Sequence, residues 1–191
     1  MCDPLKWLES FATETPVPGA CSSYGGYCLA VSVLLFDITG DLYLVHPTKA
    51  ERTVFVPPQT TVRPEDKTLE GAIRRCLKNK LGLEPGNIAL HPAALAHYLN
   101  IVPARRETPG RVKGIIVFAG VLTPGTQFRL NRREVNRVEP VAPELLASRL
   151  PQGRDAKCRG TCRACLEATT QGLLSHHLQQ RYLRALGSPD P

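Results

Sequence analysis

Aromatic residues are scarce, with five Phe, five Tyr and one Trp making up 6% of 191 residues. That leaves no aromatic-rich strand face on which single-stranded bases could stack. No segment approaches the ~20 apolar residues a membrane helix requires. The longest apolar stretch, Tyr27 to Phe36, has the length and the Val and Leu content of a buried strand. No membrane partner is expected. The first residues include Asp3 and Glu9, and no basic stretch leads into an apolar one, so a cytoplasmic chain is expected. There is no Gly-x4-Gly-Lys phosphate loop, and no Ser-His-Asp or Cys-His arrangement is defined by spacing. Internal repeats and low-complexity tracts are also missing.

Acidic residues are outnumbered. Seventeen Asp and Glu stand against 24 Lys and Arg, a formal net charge of +7. A basic surface or a polyanionic partner (a nucleotide, an RNA or a phosphorylated metabolite) accounts for that excess. The excess is clustered. Arg74, Arg75, Lys78 and Lys80 share one predicted helix, Arg129, Arg132, Arg133 and Arg137 share a second segment, and Arg154, Lys157, Arg159 and Arg163 a third. Hydrophobic residues make up 42% and charged residues 21%, ordinary values for one globular domain.

Along the chain, residues 1–25 read as a lead segment, 26–150 as the domain, and 151–191 as a Cys-containing loop and helix packed on it. Tyr27–Phe36, the turn residues 37–41 and Leu42–Val45 give a hairpin signal. Val54, Phe55 and Val56 predict a third short strand, ended by Pro57 and Pro58, with 59–67 a polar loop. From 69 to 81, Leu69, Ala72, Ile73, Cys76, Leu77 and Leu81 recur at helical steps. Asp66 or Thr68 is placed to cap this helix and Gly82 to end it. Val112–Leu122 predicts another buried strand and Val135–Val141 an edge strand. Pro143 opens a short helix, and a long one is predicted from Cys165 to Leu186. The order predicts a mixed β-sheet with helices on both faces.

The run VPPQTTVRPEDKTLEGAIRRCLKNKLGL, residues 56–83, resembles the Nudix box in its loop-helix-loop outline. That pattern reads Gly, five residues, Glu, seven residues, Arg-Glu, aliphatic, any residue, Glu-Glu, any residue, Gly, aliphatic. Anchored on Gly82 and Leu83, it matches Arg75 and Leu77 as well. The box glycine falls on Thr61 and the first glutamate on Lys67. The glutamate after the arginine falls on Cys76, and the Glu-Glu pair on Asn79 and Lys80. The surrounding strands, and the late segment EVNRVEPVAPELL at 134–146, follow the family's order. The resemblance implies a Nudix-like α/β/α sandwich with a mixed β-sheet.

It also implies a chemistry. Nudix hydrolases use the box glutamates to hold Mg²⁺ or Mn²⁺ against a diphosphate. Hard cations want oxygen ligands, and these positions offer a thiol, an amide and an ammonium. Lys67 would face Arg75 where the family has an ion pair, giving like-charge repulsion. Metal-dependent hydrolysis is therefore not expected, and no cofactor is expected in the cleft. Lys67, Arg74, Arg75, Lys78 and Lys80 become candidates for binding a phosphorylated ligand directly, through arginine forks and lysine point charges. Several of these residues, Arg74 and Lys78 first, would equally serve as a solvated helix face, and Cys76 as a small buried hydrophobe. A divergent active hydrolase would need Mg or Mn ligands recruited from elsewhere, with Glu65 and Glu70 flanking the box and Glu51 and Glu107 in flanking loops as candidates. A protein partner or a homodimer is also compatible with the sequence.

Seven cysteines, an odd number, do not suggest a disulfide framework. Cys158, Cys162 and Cys165, with His176, have the residue types of a structural zinc site. The same Cys spacing also fits an iron–sulfur motif, or one helix face packed on the core. A zinc-organised interaction module is thus the third functional class open to this chain.

Overall fold

The computed structural model describes residues 12–17, 28–49, 55–102 and 111–145. Seven strands form one mixed sheet. They are β1 (Cys28–Phe36), β2 (Leu42–Pro47), β3 (Gln59–Thr61), β4 (Ile88–Leu90), β5 (Ala96–Val102), β6 (Arg111–Leu122) and β7 (Val135–Val141). One α-helix, α1 (Leu69–Leu81), lies between β3 and β4. Among the described residues no helix is long and apolar enough to cross a membrane.

β1 and β6 make the centre of the sheet and pair in parallel from Cys28↔Lys113 to Phe36↔Val121. Antiparallel strands flank them. β4 and β5 both pair with β6. β2 and β3 share the other edge of β1, and β2 continues to β7. The alternation of β1 sends Leu29, Val31, Val33 and Leu35 to one core, with Ile73, Leu77 and Leu81 of α1. Ala30, Leu34 and Phe36 join the second core, on the opposite face, with Leu42, Leu44 and Val117. This is the arrangement of mixed sheet and helix that the Nudix resemblance implies.

The predicted helix and the central strands are present. Val56 makes only an isolated bridge to Val45, and the third strand follows the prolines instead of preceding them. Pro57 and Pro58 have no N–H to donate, but the Pro58 carbonyl still accepts from the Val33 N–H at 2.9 Å. That contact leads the chain into β3. Strands β4 and β5 were not anticipated from the sequence. The predicted C-terminal helix and the remainder of the lead segment lie outside the described residues, as do Cys158, Cys162, Cys165 and His176.

Both ends of α1 are closed by other parts of the chain. Thr68 Oγ1 accepts from the Gly71 N–H at 3.1 Å, so Thr68 is the N-cap. The Leu69 and Glu70 N–H groups donate to the Thr15 and Thr13 carbonyls at 3.1 and 2.8 Å. Part of the predicted lead segment therefore straps the start of the helix. At the other end Gly82 has φ +68°, in the left-handed region that favours glycine. A Cβ there would also sit 2.6 Å from Arg129 Cβ. The Arg129 and Asn131 N–H groups donate to the Leu81 and Lys80 carbonyls at 2.8 and 3.0 Å. These bonds satisfy acceptors that a helix end otherwise leaves open.

Candidate functional site

The loop before α1 is organised by one carboxylate. Asp66, whose side chain is 2% exposed, accepts from Arg75 Nε at 2.5 Å and from Arg75 Nη2 at 2.8 Å. It also accepts from the Arg63 N–H at 2.7 Å. Arg75 Nη2 reaches the Thr61 carbonyl as well, at 2.8 Å. The guanidinium thus fastens β3 and the 3-10 turn Pro64–Asp66 onto α1. Burial alone would raise the Asp66 pKa, but the Arg75 and Arg63 hydrogen bonds outweigh it and hold the carboxyl below its usual value.

The expected repulsion between Lys67 and Arg75 does not occur. Lys67 takes φ +61°, unlike every other described non-glycine residue, and the Thr68 N–H donates to the Asp66 carbonyl at 2.7 Å. This tight two-residue closure turns Asp66 inward and leaves Lys67 exposed. An arginine–carboxylate pair is formed, with the acid supplied one residue earlier than the box alignment places it.

Three helix positions correspond to the metal-holding glutamates implied by the resemblance. Cys76 is 1% exposed, and burial pushes its thiol up to about 12, so it is a neutral packing group at neutral pH. Asn79 is exposed. Lys80 places its ammonium 2.7 Å from Glu134 Oε2, across 54 residues of chain. That carboxylate sits just ahead of β7. The two remaining candidates are also paired, Arg74 with Glu70 at 2.6 Å and Lys78 with Glu84 at 3.2 Å.

The five predicted ligand residues do not converge. Lys67 precedes α1 and Lys80 is in its last turn, roughly 20 Å away along the axis. Arg75 is committed to Asp66 and to the Thr61 carbonyl. Arg74 is half-buried against Glu70, and Lys78 is exposed. Lys80, with a side chain 21% exposed, is the cation that the fold holds at the edge between helix and sheet. In the sequence Asp66 reads only as a helix cap and nothing marks Glu134, yet these two acids pair with Arg75 and Lys80.

Among the described residues no group of three or more His, Cys, Asp or Glu is placed to hold a divalent cation. Glu70 is spent on Arg74, Asp66 on Arg75 and Glu134 on Lys80. Glu51 and Glu107 lie outside the described residues. A hard cation beside Lys80 would meet an ammonium, so the described residues do not fit Mg²⁺ or Mn²⁺.

The family model described as NUDIX domain matches residues 26–158, and the chain belongs to that family. Similar solved structures include a Nudix hydrolase from M. smegmatis, RenU, with 16% identity and a TM-score of 0.55, covering 87% of this chain and 99% of that one. Another is the MutT protein from Methanosarcina mazei Go1, with 16% identity and a TM-score of 0.53, covering 87% and 100%. At this identity the likeness is one of fold. No curated protein matches the sequence significantly.

Proposed function

We propose that this chain is a Nudix-fold protein that binds a phosphorylated ligand, a nucleotide or an RNA end, without metal-dependent pyrophosphate hydrolysis. The observation that carries this reading is Lys80. An ammonium stands where the resemblance implies a metal-holding carboxylate, and it is set 2.7 Å from Glu134. A lysine there can neutralise a phosphate directly, as a point charge. Glu134 is 47% exposed, so its solvated contact with Lys80 is a weak one that a phosphate can replace. The strap over the start of α1 takes up N–H groups that could otherwise serve an anion, so the reading rests on Lys80.

Phosphorus NMR with a panel of nucleoside diphosphate derivatives, with and without Mg²⁺ or Mn²⁺, tests this. Shifts or broadening without cleavage are expected in metal-free buffer. Metal-dependent cleavage of any member would overturn the reading. Lys80→Glu removes the cation and sets a second carboxylate beside Glu134. It should weaken the metal-free interaction at least about tenfold, the loss of one charge-assisted contact. The same variant should gain Mn²⁺ affinity by titration calorimetry. An unchanged phosphate affinity would take Lys80 out of the site.

A further inference from the structure

Two groups of cations among the described residues differ in their partners. On α1 each is matched by a carboxylate within ion-pair distance. On the segment that closes the end of α1, Arg129, Arg132 and Arg133 are exposed, and among the described residues none of them makes an ion pair. The acid next to them, Glu134, is taken by Lys80. The exposed Lys49 adds a fourth charge, because its neighbour Thr48 is bonded to this segment. The Thr48 N–H donates to the Glu134 carbonyl and Thr48 Oγ1 to the Arg132 carbonyl, both at 3.0 Å.

This segment is fixed in place. Besides the Arg129 and Asn131 bonds to α1, the Glu134 and Val135 N–H groups both donate to the Asn131 carbonyl at 2.9 Å. Asn131 Oδ1 accepts from the Arg133 N–H at 3.2 Å, and the Arg132 guanidinium donates to the Asn136 carbonyl. Phe128 and Leu130 pack on the core and anchor the run from below. Three of the four like charges lie on a backbone held by these bonds, and Lys80 cancels the acid that would have diluted them. Their mutual repulsion is unfavourable until a polyanion offsets it, and a rigid segment loses little entropy when one docks.

The surroundings select the partner. The large exposed hydrophobics among the described residues, Ile38 and Leu145, lie outside this segment, so nothing in it would insert into a lipid surface. No exposed aromatic in it would stack a base. We propose that Lys49, Arg129, Arg132 and Arg133 form a docking ridge for the phosphodiester backbone of nucleic acid, contacted through its phosphates without regard to base sequence. The ridge rests on the Lys80–Glu134 contact and does not need a phosphate bound at Lys80.

The test is fluorescence anisotropy of labelled oligouridylate and oligothymidylate with the full chain, between about 50 and 200 mM salt. Wild type should bind both. Replacing Arg129, Arg132 and Arg133 by alanine should flatten the dependence of log K on log salt by about 0.7 per arginine lost. Arg63→Ala removes an exposed cation from the opposite end of α1 and should leave the slope unchanged. The triple variant should keep its thermal midpoint and its phosphorus shifts with small ligands, so failure here and failure at Lys80 are read separately. Absence of oligonucleotide binding, a slope unchanged in the triple variant, or tighter binding to phosphatidylserine vesicles than to either strand would overturn the proposal.

Discussion

Asp66→Ala should cost about 3 to 5 kcal/mol of stability, the usual range for removing one partner of a buried ion pair. The loss is that large because the arginine left behind keeps its desolvation cost and loses its counter-charge. Arg75 would retain the Thr61 carbonyl as a strong acceptor, and the Arg63 N–H would lose its partner. In a chain of this size the midpoint of thermal unfolding should fall by roughly 10 °C, which scanning calorimetry would register. The pH dependence carries a second signature. The native carboxyl titrates below its ordinary value of 3.8, so its stabilising effect is complete above that value and fades as pH falls through the lower native one. The stability gap between wild type and Asp66→Asn should therefore be constant at neutral pH and close under acid. A gap that persists unchanged in acid would mean that the charge of Asp66 contributes nothing.

Gly71→Ala should also destabilise, against helix propensity. Alanine is favoured over glycine inside a helix by about 1 kcal/mol, so an unobstructed position would gain. Here an added Cβ would lie 2.0 Å from the Asp66 carbonyl oxygen. That oxygen is backbone, and it is the acceptor for the Thr68 N–H in the turn that aims Asp66 at Arg75. The turn must move, and a net loss of about 1 to 3 kcal/mol is expected, the cost of an overpacked site. Because both substitutions damage one assembly, the double variant should lose less than the sum of the singles. Strict additivity in chemical denaturation would separate Gly71 from the Asp66–Arg75 pair.

The parts of this molecule that were legible in the sequence are local in the chain. Helix α1 was readable because its apolar period, the Thr68 cap and the Gly82 stop all lie within fifteen residues. Strands β1 and β6 were readable as dense apolar runs buried on both faces. Strand β3 was missed because a proline pair reads as an end, although a proline carbonyl can still accept. The three-residue β4 offers too short a pattern to register.

The site was half legible. Position 76 was expected to be a buried packing group, and it is one. The pairing of Arg75 was misread because an unusual φ at Lys67 shifts the acid by one residue, and spacing alone carries no record of φ. Glu134 could not have been matched to Lys80 by inspection, since only the path of the chain after β6 brings the two together. The sign of the net charge is plain in the sequence, but which cations have a carboxylate partner depends on the fold.

The strap of residues 12–17 bears on how short this protein can be made. The family match begins at residue 26, and a fragment cut there would carry all seven strands and α1. It would nonetheless lack the Thr13 and Thr15 carbonyls that receive the first N–H groups of that helix. It would also lack the Val17 N–H, which donates to the Lys67 carbonyl at 2.6 Å and braces the one non-glycine residue held at positive φ. The bonds that close the start of α1 therefore begin upstream of the region by which the family is recognised.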